Sequence, residues 1–317
     1  GPAYKKPKLG NYRKHVSKLR FLVGAGPDGD RNEYHRPLSR YFEDGNVRRV
    51  MDLEIWLANQ LIAANHNVIP KWVWWVLGAT KALMLIKPGQ VIIPGKTPDI
   101  RPIQMGGIWK RNVMSCTMKN YAPTTGASYK GTQVALGIND GLAKLNYIIQ
   151  INNEKDPDGS SIGMDLSDAY GSATRLSSLK EINRDDSLVR DLAPYFHATL
   201  SSMPIIYGVV KRVEVIGVDE TRIVRHESQE GFGQGSPEST LGFTQVIQPD
   251  IVIMREILRK HAGETAFCSD DGFVNGPNEV IFPAVWEFFE RLELRTALRP
   301  NLLKQQVTSN NMPKLLK

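Results

Sequence analysis

The segment IGMDLSDAY at residues 162–170 carries an apolar run directly into an acid, and an aromatic residue follows a turn later. The apolar run predicts a short buried strand. Such a strand delivers Asp165 to its end, where a carboxylate can face a cleft. The pattern therefore predicts an acidic strand end around which the rest of the chain is organised.

A second acidic segment, FCSDDGF, lies far down the chain at residues 267–273. It predicts a strand, a tight turn and another strand. Two strands that each end in acid can lie side by side in one sheet and hold two divalent cations at the spacing that phosphoryl transfer uses. The alternative is two unrelated acidic turns, because turns rich in Asp and Gly are common.

A third segment, GFGQGSPES at residues 231–239, lies between the two acidic ones. In this order, residues 165–170, 231–239 and 269–272 resemble motifs A, B and C of a reverse-transcriptase palm, closest to the non-LTR and group II intron enzymes. The resemblance extends from Trp56 to Lys304. It implies an α/β fold of the α+β kind: a right-hand polymerase palm with a small antiparallel sheet packed on helices, plus fingers.

The same resemblance assigns site residues. It implies metal contacts at Asp165, Leu166, Asp270 and Asp271, nucleotide contacts at Lys96, Arg101, Asp168, Ala169, Tyr170, Gln234 and Gly235, and catalytic roles for Asp165, Asp270, Asp271 and Lys304. Two Mg²⁺ ions are the implied cofactor, with Mn²⁺ as a substitute, since Mg²⁺ favours few carboxylates together with waters and substrate phosphates. Asp165 and Asp270 are the expected ligands, and Asp271 is a third ligand or a structural acid.

A basic turn supplies the expected triphosphate contacts. Residues 91–93 and 100–103 predict two strands joined by PGKTPD, residues 94–99, so that Lys96 lies at the turn and Arg101 just beyond it. Both side chains place positive charge where a triphosphate is negative. The alternative is an ordinary basic β-turn.

Hydrophobic periodicity predicts most of the helices. They are expected at residues 50–65, 70–85, 105–119, 132–150, 188–202, 238–259 and 278–294. Pro249 is expected to kink or break the helix that contains it. A hairpin is predicted at residues 211–225. The segment KGTQ, residues 130–133, resembles the template-contacting segment that precedes motif A.

Tyr170 occupies the position of the aromatic steric gate in reverse transcriptases, so the resemblance implies selection of dNTP. The alternative is that Tyr170 is a core residue of the palm. Viral RNA polymerases usually carry an acid at this position and an asparagine after motif B, and residues 241–248 contain no asparagine. Both departures favour DNA synthesis. Cys268 replaces an aromatic residue that the family usually has, which affects primer positioning rather than metal binding.

Composition limits the compartment and the partners. The chain has 317 residues, 41% of them hydrophobic, enough for two or three subdomains with a real core. A net charge of +7 indicates a polyanionic partner, although a basic soluble protein is the alternative. Cys116 and Cys268 form neither a disulfide framework nor a zinc site, which fits an intracellular, reducing compartment. The apolar run at residues 68–86 is broken by proline and lysine, so no membrane contact is expected.

Four consecutive domains are expected. They are a basic N-terminal arm at residues 1–30, fingers at 31–160, a palm at 161–309 and a tail at 310–317. The arm is expected to be solvated and mobile. The segment RPNLLK, residues 299–304, resembles motif D. A helical thumb is expected to be absent, or to lie on another chain or in a missing part of the same protein.

These features predict an RNA-directed DNA polymerase that works by a two-metal mechanism. Its expected partners are an RNA template, a nucleic-acid primer and nucleoside triphosphates. Two alternatives stay open. One is a viral-type RNA-dependent RNA polymerase, since Ser-Asp-Asp also ends motif C in some of those enzymes. The other is a reverse-transcriptase-like scaffold that binds RNA without catalysis.

Overall fold

The computed structural model describes residues 8–20, 25–41, 43–87, 89–91, 93, 100–156, 158–213 and 219–309. Its helices are Leu9–Ser17 (α1), Asn32–Arg40 (α2), Gly45–Ile62 (α3), Lys71–Gly78 (α4), Ile108–Ser128 (α5), Gly141–Lys155 (α6), Ala169–Ser172 (α7), Arg175–Ile182 (α8), Ala193–Leu200 (α9), Ser239–Arg259 (α10) and Asn278–Thr296 (α11). Its strands are Thr80–Ile86 (β1), Ile100–Gly106 (β2), Ser160–Met164 (β3), Ile205–Val213 (β4), Asp219–Glu227 (β5), Glu264–Cys268 (β6), Asp271–Gly276 (β7) and Gln306–Ser309 (β8). The fold is mixed α/β, as the sequence predicts.

These elements form two compact units that are interleaved along the chain. The first comprises the described residues within Gly1–Asn120, Asp191–Gln229 and Gly233–Ser239. The second comprises those within Tyr121–Arg190, Glu230–Phe232 and Thr240–Lys317. The consecutive arm, fingers, palm and tail expected from the sequence stay predictions.

The first unit contains a four-stranded sheet in the order β2-β1-β4-β5. Strand β1 runs antiparallel to β2 and parallel to β4, while β4 and β5 form an antiparallel hairpin. Helix α3 begins at Asp44, whose carboxylate accepts hydrogen bonds from the main-chain N–H groups of Asn46 and Val47. This capping satisfies two donors that the first turn of a helix leaves free.

Helix α1 places Tyr12 and Val16 in the core of the first unit, so residues 9–17 are folded. The expectation of a mobile arm is wrong for this stretch, because one face of the basic segment is apolar enough to pack. Residues 1–7 lie outside the described part of the chain.

The second unit contains a fully antiparallel sheet in the order β6-β7-β3-β8. Strand β3 lies inside this sheet between β7 and β8, and four of its five residues are buried. Helix α6 packs on β6, β7 and β3, and α11 packs on β7 and β3. The ring of Phe267 in β6 lies 5.7 Å from that of Phe288 in α11. A small antiparallel sheet packed on helices is therefore confirmed.

Two local predictions in the first unit are wrong. The helix expected over residues 70–85 ends at Gly78, and the remainder forms β1. This run is apolar on all sides, so periodicity does not separate helix from strand there. Strand β2 pairs with β1. Residues 91 and 93 lie in no strand, and residue 92 lies outside the described part of the chain. Within α4, Trp74 is buried and Trp72 is 70% exposed.

Two predictions in the second unit also differ from the structure. The helix expected over residues 132–150 begins only at Gly141, because residues 132–134 pair with β6 instead. Helix α10 continues through Pro249 without a break. An interior proline costs about 3 kcal/mol, and the residues buried on both sides of Pro249, among them Val246, Ile247 and Ile251, offset that cost.

A half-buried acid–base cluster joins α2 and α3 in the first unit. His35 Nε2 lies 2.5 Å from Asp30 Oδ2, and His35 Nδ1 lies 3.6 Å from Glu54 Oε1. The carboxylates of Glu54 and Asp30, in that order, raise the pKa of His35 to about 9 against the cost of burial. The imidazole is therefore charged at neutral pH.

The charge on His35 makes stability depend on pH. Because the folded pKa is raised, the contribution is fully present below about pH 6.5 and is lost as pH rises through about 9. The difference in the free energy of unfolding between the wild type and His35→Gln should shrink by roughly 3 kcal/mol from pH 6.5 to pH 10. Urea unfolding at both pH values measures it, with His197→Gln as the exposed control. An equal difference at both pH values contradicts the assignment.

Candidate active site at the end of strand β3

Asp165 follows directly on β3, as the sequence predicts. Residues close to the end of the described chain hold its main chain in place. The Asp165 carbonyl accepts hydrogen bonds from Asn301 N at 2.9 Å and Gln305 Nε2 at 2.7 Å. Just beyond it, Leu166 forms an isolated bridge with Pro300, and Ser167 N donates to the Arg299 carbonyl at 2.9 Å. The strand end is therefore fixed by backbone contacts.

The Asp165 carboxylate lies between a cationic side chain and a cleft. Its Oδ2 is buried without a hydrogen-bond partner and lies 3.9 Å from Lys304 Nζ. A cleft of about 440 Å³ opens beside it, lined by the end of β3, the start of β7 and residues 303–306. The resemblance to motif D places Lys304 at the site, and the structure brings its side chain to Asp165.

The acidic turn between β6 and β7 has two residues, Ser269 and Asp270, because Cys268 pairs with Asp271 across the hairpin. Ser269 has a φ of +64°, in the left-handed region that tight hairpin turns use. Strand β7 is hydrogen-bonded to β3, with Gly272 opposite Met164. The turn therefore lies at the same end of the sheet as Asp165.

The acids of this site influence one another. Burial is the largest cause that raises the pKa of Asp270, and the charges of Asp271 and Asp165 raise it further. Main-chain and Ser269 hydrogen bonds act in the opposite direction. Carboxylates that repel one another in this way favour a cation between them.

No set of three or more His, Cys, Asp or Glu side chains in the described part of the chain is gathered as a metal site. The arrangement present is a pair of carboxylates, Asp165 and Asp270, with Asp271 exposed at the start of β7. Such a pair suits Mg²⁺, which is usually held by one or two carboxylates together with waters and substrate phosphates. Leu166 has a buried apolar side chain, so only its carbonyl oxygen can serve a metal.

Tyr170 lies on α7 with its ring stacked on Phe243, 4.7 Å between centroids and 18° between planes. Its hydroxyl lies 2.5 Å from Ser269 Oγ and donates to Thr240 Oγ1 at 3.3 Å. Burial raises the pKa of this phenol. Tyr170 is thus attached both to α10 and to the acidic turn, and its ring cannot shift freely.

The neighbouring predicted nucleotide contacts differ in exposure. Asp168 is exposed and has a φ of +42°, and Ala169 is buried. The Asp168 carbonyl accepts a hydrogen bond from Ser172 N at 2.9 Å, which starts α7. Only the main chain of Ala169 could therefore contact a ligand.

The motif B segment is divided between the two units. In the first unit, the Gln234 carbonyl accepts a hydrogen bond from Gln104 N of β2 at 2.7 Å. Gly235 has a φ of +105°, and an added Cβ would lie 3.1 Å from the Gln104 carbonyl oxygen. Both features favour glycine at this position.

Of the two basic side chains expected to bind triphosphate, the structure describes one. Arg101 is exposed on β2, opposite Leu85. Lys96 lies outside the described residues, so the predicted pair stays a prediction.

In the second unit, residues 230–232 are hydrogen-bonded to the segment after motif A. Phe232 N donates to the Tyr170 carbonyl, and Gly231 N donates to the Ala173 carbonyl at 3.1 Å. Arg175, which is buried, donates from Nε to the Gly231 carbonyl at 3.0 Å. Burial lowers the pKa of this guanidinium, against the charge of Glu230. Sequence analysis assigned no structural role to Arg175, which follows Ala173 and Thr174.

Gln133 was predicted to lie in a template-contacting segment, and its side chain is instead fully buried against the acidic turn. Its Nε2 donates to the Ser269 carbonyl at 3.0 Å, and its Oε1 accepts from Ser269 N at 3.0 Å. In this position Gln133 cannot face a template. Lys130 in the same segment is exposed.

Comparison with known proteins gives little by sequence. No family model matches the chain, and no curated protein matches it. Among solved structures, the chain is similar to telomerase from Candida albicans in complex with the TWJ fragment of telomeric RNA, with a TM-score of 0.47 and 12% identity. The match covers 73% of this chain and 41% of the telomerase chain, so this chain spans less than half the length of that protein. Within the described residues, no helix is long and apolar enough to cross a membrane.

The hydrogen bonds of Arg175 give a stability prediction. Arg175→Met leaves the buried Gly231 carbonyl without its donor, so the free energy of unfolding should fall by about 2 kcal/mol. Arg184→Met is the control, since Arg184 is a half-exposed cation that pairs with Asp186 and Glu181, and it should cost well under 1 kcal/mol. Urea unfolding measures both variants. If both variants lose the same free energy of unfolding, the hydrogen bond from Arg175 to Gly231 does not stabilise the segment at residues 230–232.

Proposed function

We propose that this chain is the core of a metal-dependent, template-directed nucleotide polymerase, of the kind that copies RNA into DNA. The observation that carries the proposal is the pair of acids at one end of the second unit's sheet, with Lys304 3.9 Å from Asp165. The ordered motif resemblance and the net charge of +7 support a nucleic-acid partner.

The carboxylates supply the chemistry of the proposed site. Divalent cations bound there would lower the pKa of a primer hydroxyl and stabilise the charge that develops on the phosphate. Asp165 offers a buried oxygen without a hydrogen-bond partner, and Asp270 is the second ligand, with its pKa raised chiefly by burial. Lys304 places a positive charge at the same cleft, where a triphosphate or pyrophosphate would be negative.

Tyr170 is the proposed determinant of sugar choice. A steric gate needs a ring that cannot yield, and Tyr170 is stacked on Phe243 and hydrogen-bonded at its hydroxyl. The same packing is also what a core residue would have, and that keeps the RNA-polymerase alternative open. The two proposals differ in whether the ring meets a ribose 2′-hydroxyl.

The metal ligands can be tested by isosteric substitution. Asp165→Asn and Asp270→Asn should each lower primer extension at least 100-fold, because several kcal/mol of charge stabilisation in the transition state are lost. Circular dichroism should be unchanged. Asp185→Asn, at an exposed acid that pairs with Arg190, should extend a primer like the wild type. Near wild-type extension by either active-site variant rejects the proposed site.

Primer extension also tests the second alternative, the scaffold that binds RNA without catalysis. A wild-type chain that binds RNA but incorporates no nucleotide on RNA or DNA templates, with Mg²⁺ or Mn²⁺, would identify a non-catalytic scaffold.

Sugar choice can be tested at the ring itself. Tyr170→Val should raise rNTP incorporation relative to dNTP by about 100-fold, since a packed ring cannot relieve a clash by small shifts. Tyr170→Phe keeps the ring and removes only the hydroxyl, so it should still prefer dNTP. Single-nucleotide incorporation kinetics on an RNA template measure both. A wild type that prefers rNTP, with no change in Tyr170→Val, would favour the RNA polymerase.

A further inference from the structure

Gln133 contacts the acidic turn, which lies far from it in sequence but within the same unit. Its side-chain amide binds the N–H and the C=O of Ser269, both at 3.0 Å, across 136 positions of sequence. The side chain is fully buried. Both polar groups of the Gln133 side chain are therefore hydrogen-bonded to one residue of the turn.

The backbone around Gln133 fixes where its side chain can reach. Val134 N donates to the Phe267 carbonyl at 2.7 Å, and Phe267 N donates to the Thr132 carbonyl at 2.9 Å. Gln133 and Phe267 thus form a parallel bridge. Since Phe267 precedes Ser269 by two residues, a side chain of the length of glutamine at position 133 reaches Ser269.

The chemistry of this contact requires glutamine. One donor and one acceptor at the end of a side chain of this length are needed to satisfy a C=O and an N–H together. Glutamate lacks the donor, lysine lacks the acceptor, and asparagine is shorter by one methylene. A residue that served only to fill space would not need both groups.

Ser269 links the contact with Gln133 to Asp270, the next residue of the turn. Ser269 directly precedes Asp270 in the two-residue turn, so its main-chain conformation sets where Asp270 lies, and its hydroxyl lies 2.5 Å from the Tyr170 hydroxyl. Its φ of +64° is one that a non-glycine residue adopts at a cost unless its surroundings hold it there. The two bonds from Gln133 hold the turn in that conformation.

We propose that Gln133 is a positioning residue for Asp270: by binding both main-chain groups of Ser269, it sets the turn that presents Asp270 to a divalent cation. The proposal rests on the metal-dependent function proposed above. Gln133 itself touches neither metal nor nucleotide in this account. Its effect should therefore appear in metal affinity as well as in rate.

The test compares two buried glutamines in the full chain. Gln133→Met keeps the length and volume of the side chain and removes both hydrogen-bonding groups. Gln245→Met is the matched control, because Gln245 is buried and donates to the Tyr129 hydroxyl rather than to Ser269. Mn²⁺ affinity is measured by electron paramagnetic resonance without nucleotide or nucleic acid, and stability by urea unfolding.

Gln133→Met should bind Mn²⁺ roughly 10- to 100-fold more weakly than the wild type, the loss typical when a residue that orients a metal ligand is removed. Gln245→Met should bind it within about twofold of the wild type. If Gln133→Met binds Mn²⁺ like the wild type while losing stability like Gln245→Met, its role is only structural and the proposal is overturned.

Hydrogen exchange on the wild type keeps the proposal testable if Gln133→Met does not fold. The Ser269 amide should exchange slowly, and Mg²⁺ should slow it further. Exchange at the rate of an open turn, or a rate that Mg²⁺ does not change, overturns the proposal.

The same titration separates this proposal from the proposed function. If Asp270→Asn loses Mn²⁺ and Gln133→Met does not, only the positioning role fails. If Asp270→Asn binds Mn²⁺ like the wild type, the metal site itself fails and Gln133 has no ligand to position.

Discussion

Repulsion between carboxylates is the constraint on which the second unit depends. Asp165, Asp270 and Asp271 lie close enough that the charges of the other two raise the pKa of Asp270, in addition to the effect of its burial. Like charges held together oppose folding unless something else fixes them or a cation neutralises them. Lys304 partly offsets the charge of Asp165 from 3.9 Å.

The chain meets this constraint through the main chain rather than through the carboxylates. Asn301 and Gln305 bind the Asp165 carbonyl, Gln133 binds Ser269, and Arg175 binds the Gly231 carbonyl. Each contact fixes a backbone position beside an acidic residue. Asp165 Oδ2 lies buried without a hydrogen-bond partner, 3.9 Å from Lys304 Nζ.

Local patterns were sufficient to predict the acid-bearing strands, because a buried apolar run and an Asp-Gly turn are both determined by neighbouring residues. They predicted β3, the β6–β7 hairpin, α3, α10 and α11 with small changes at the ends. They were wrong for residues 70–85, where an apolar run fits helix and strand equally well, and for Thr132 and Gln133, which lie before α6. The role of Gln133 had no local signal, since its partner lies 136 positions away. The structural role of Arg175 was missed for the same reason, 56 positions from Gly231.

The contacts that build the acidic site join distant parts of the sequence, and this has a consequence for folding. Gln305 lies 140 positions after Asp165, and Ser269 lies 136 after Gln133. Closing such large loops costs chain entropy before any contact is gained, so the site is among the last parts of the fold to form. During synthesis, residues 133 and 165 leave the ribosome long before their partners exist. The nascent chain therefore acquires its acidic cleft only when synthesis has passed residue 305, and until then β3 has an unpaired edge that invites aggregation.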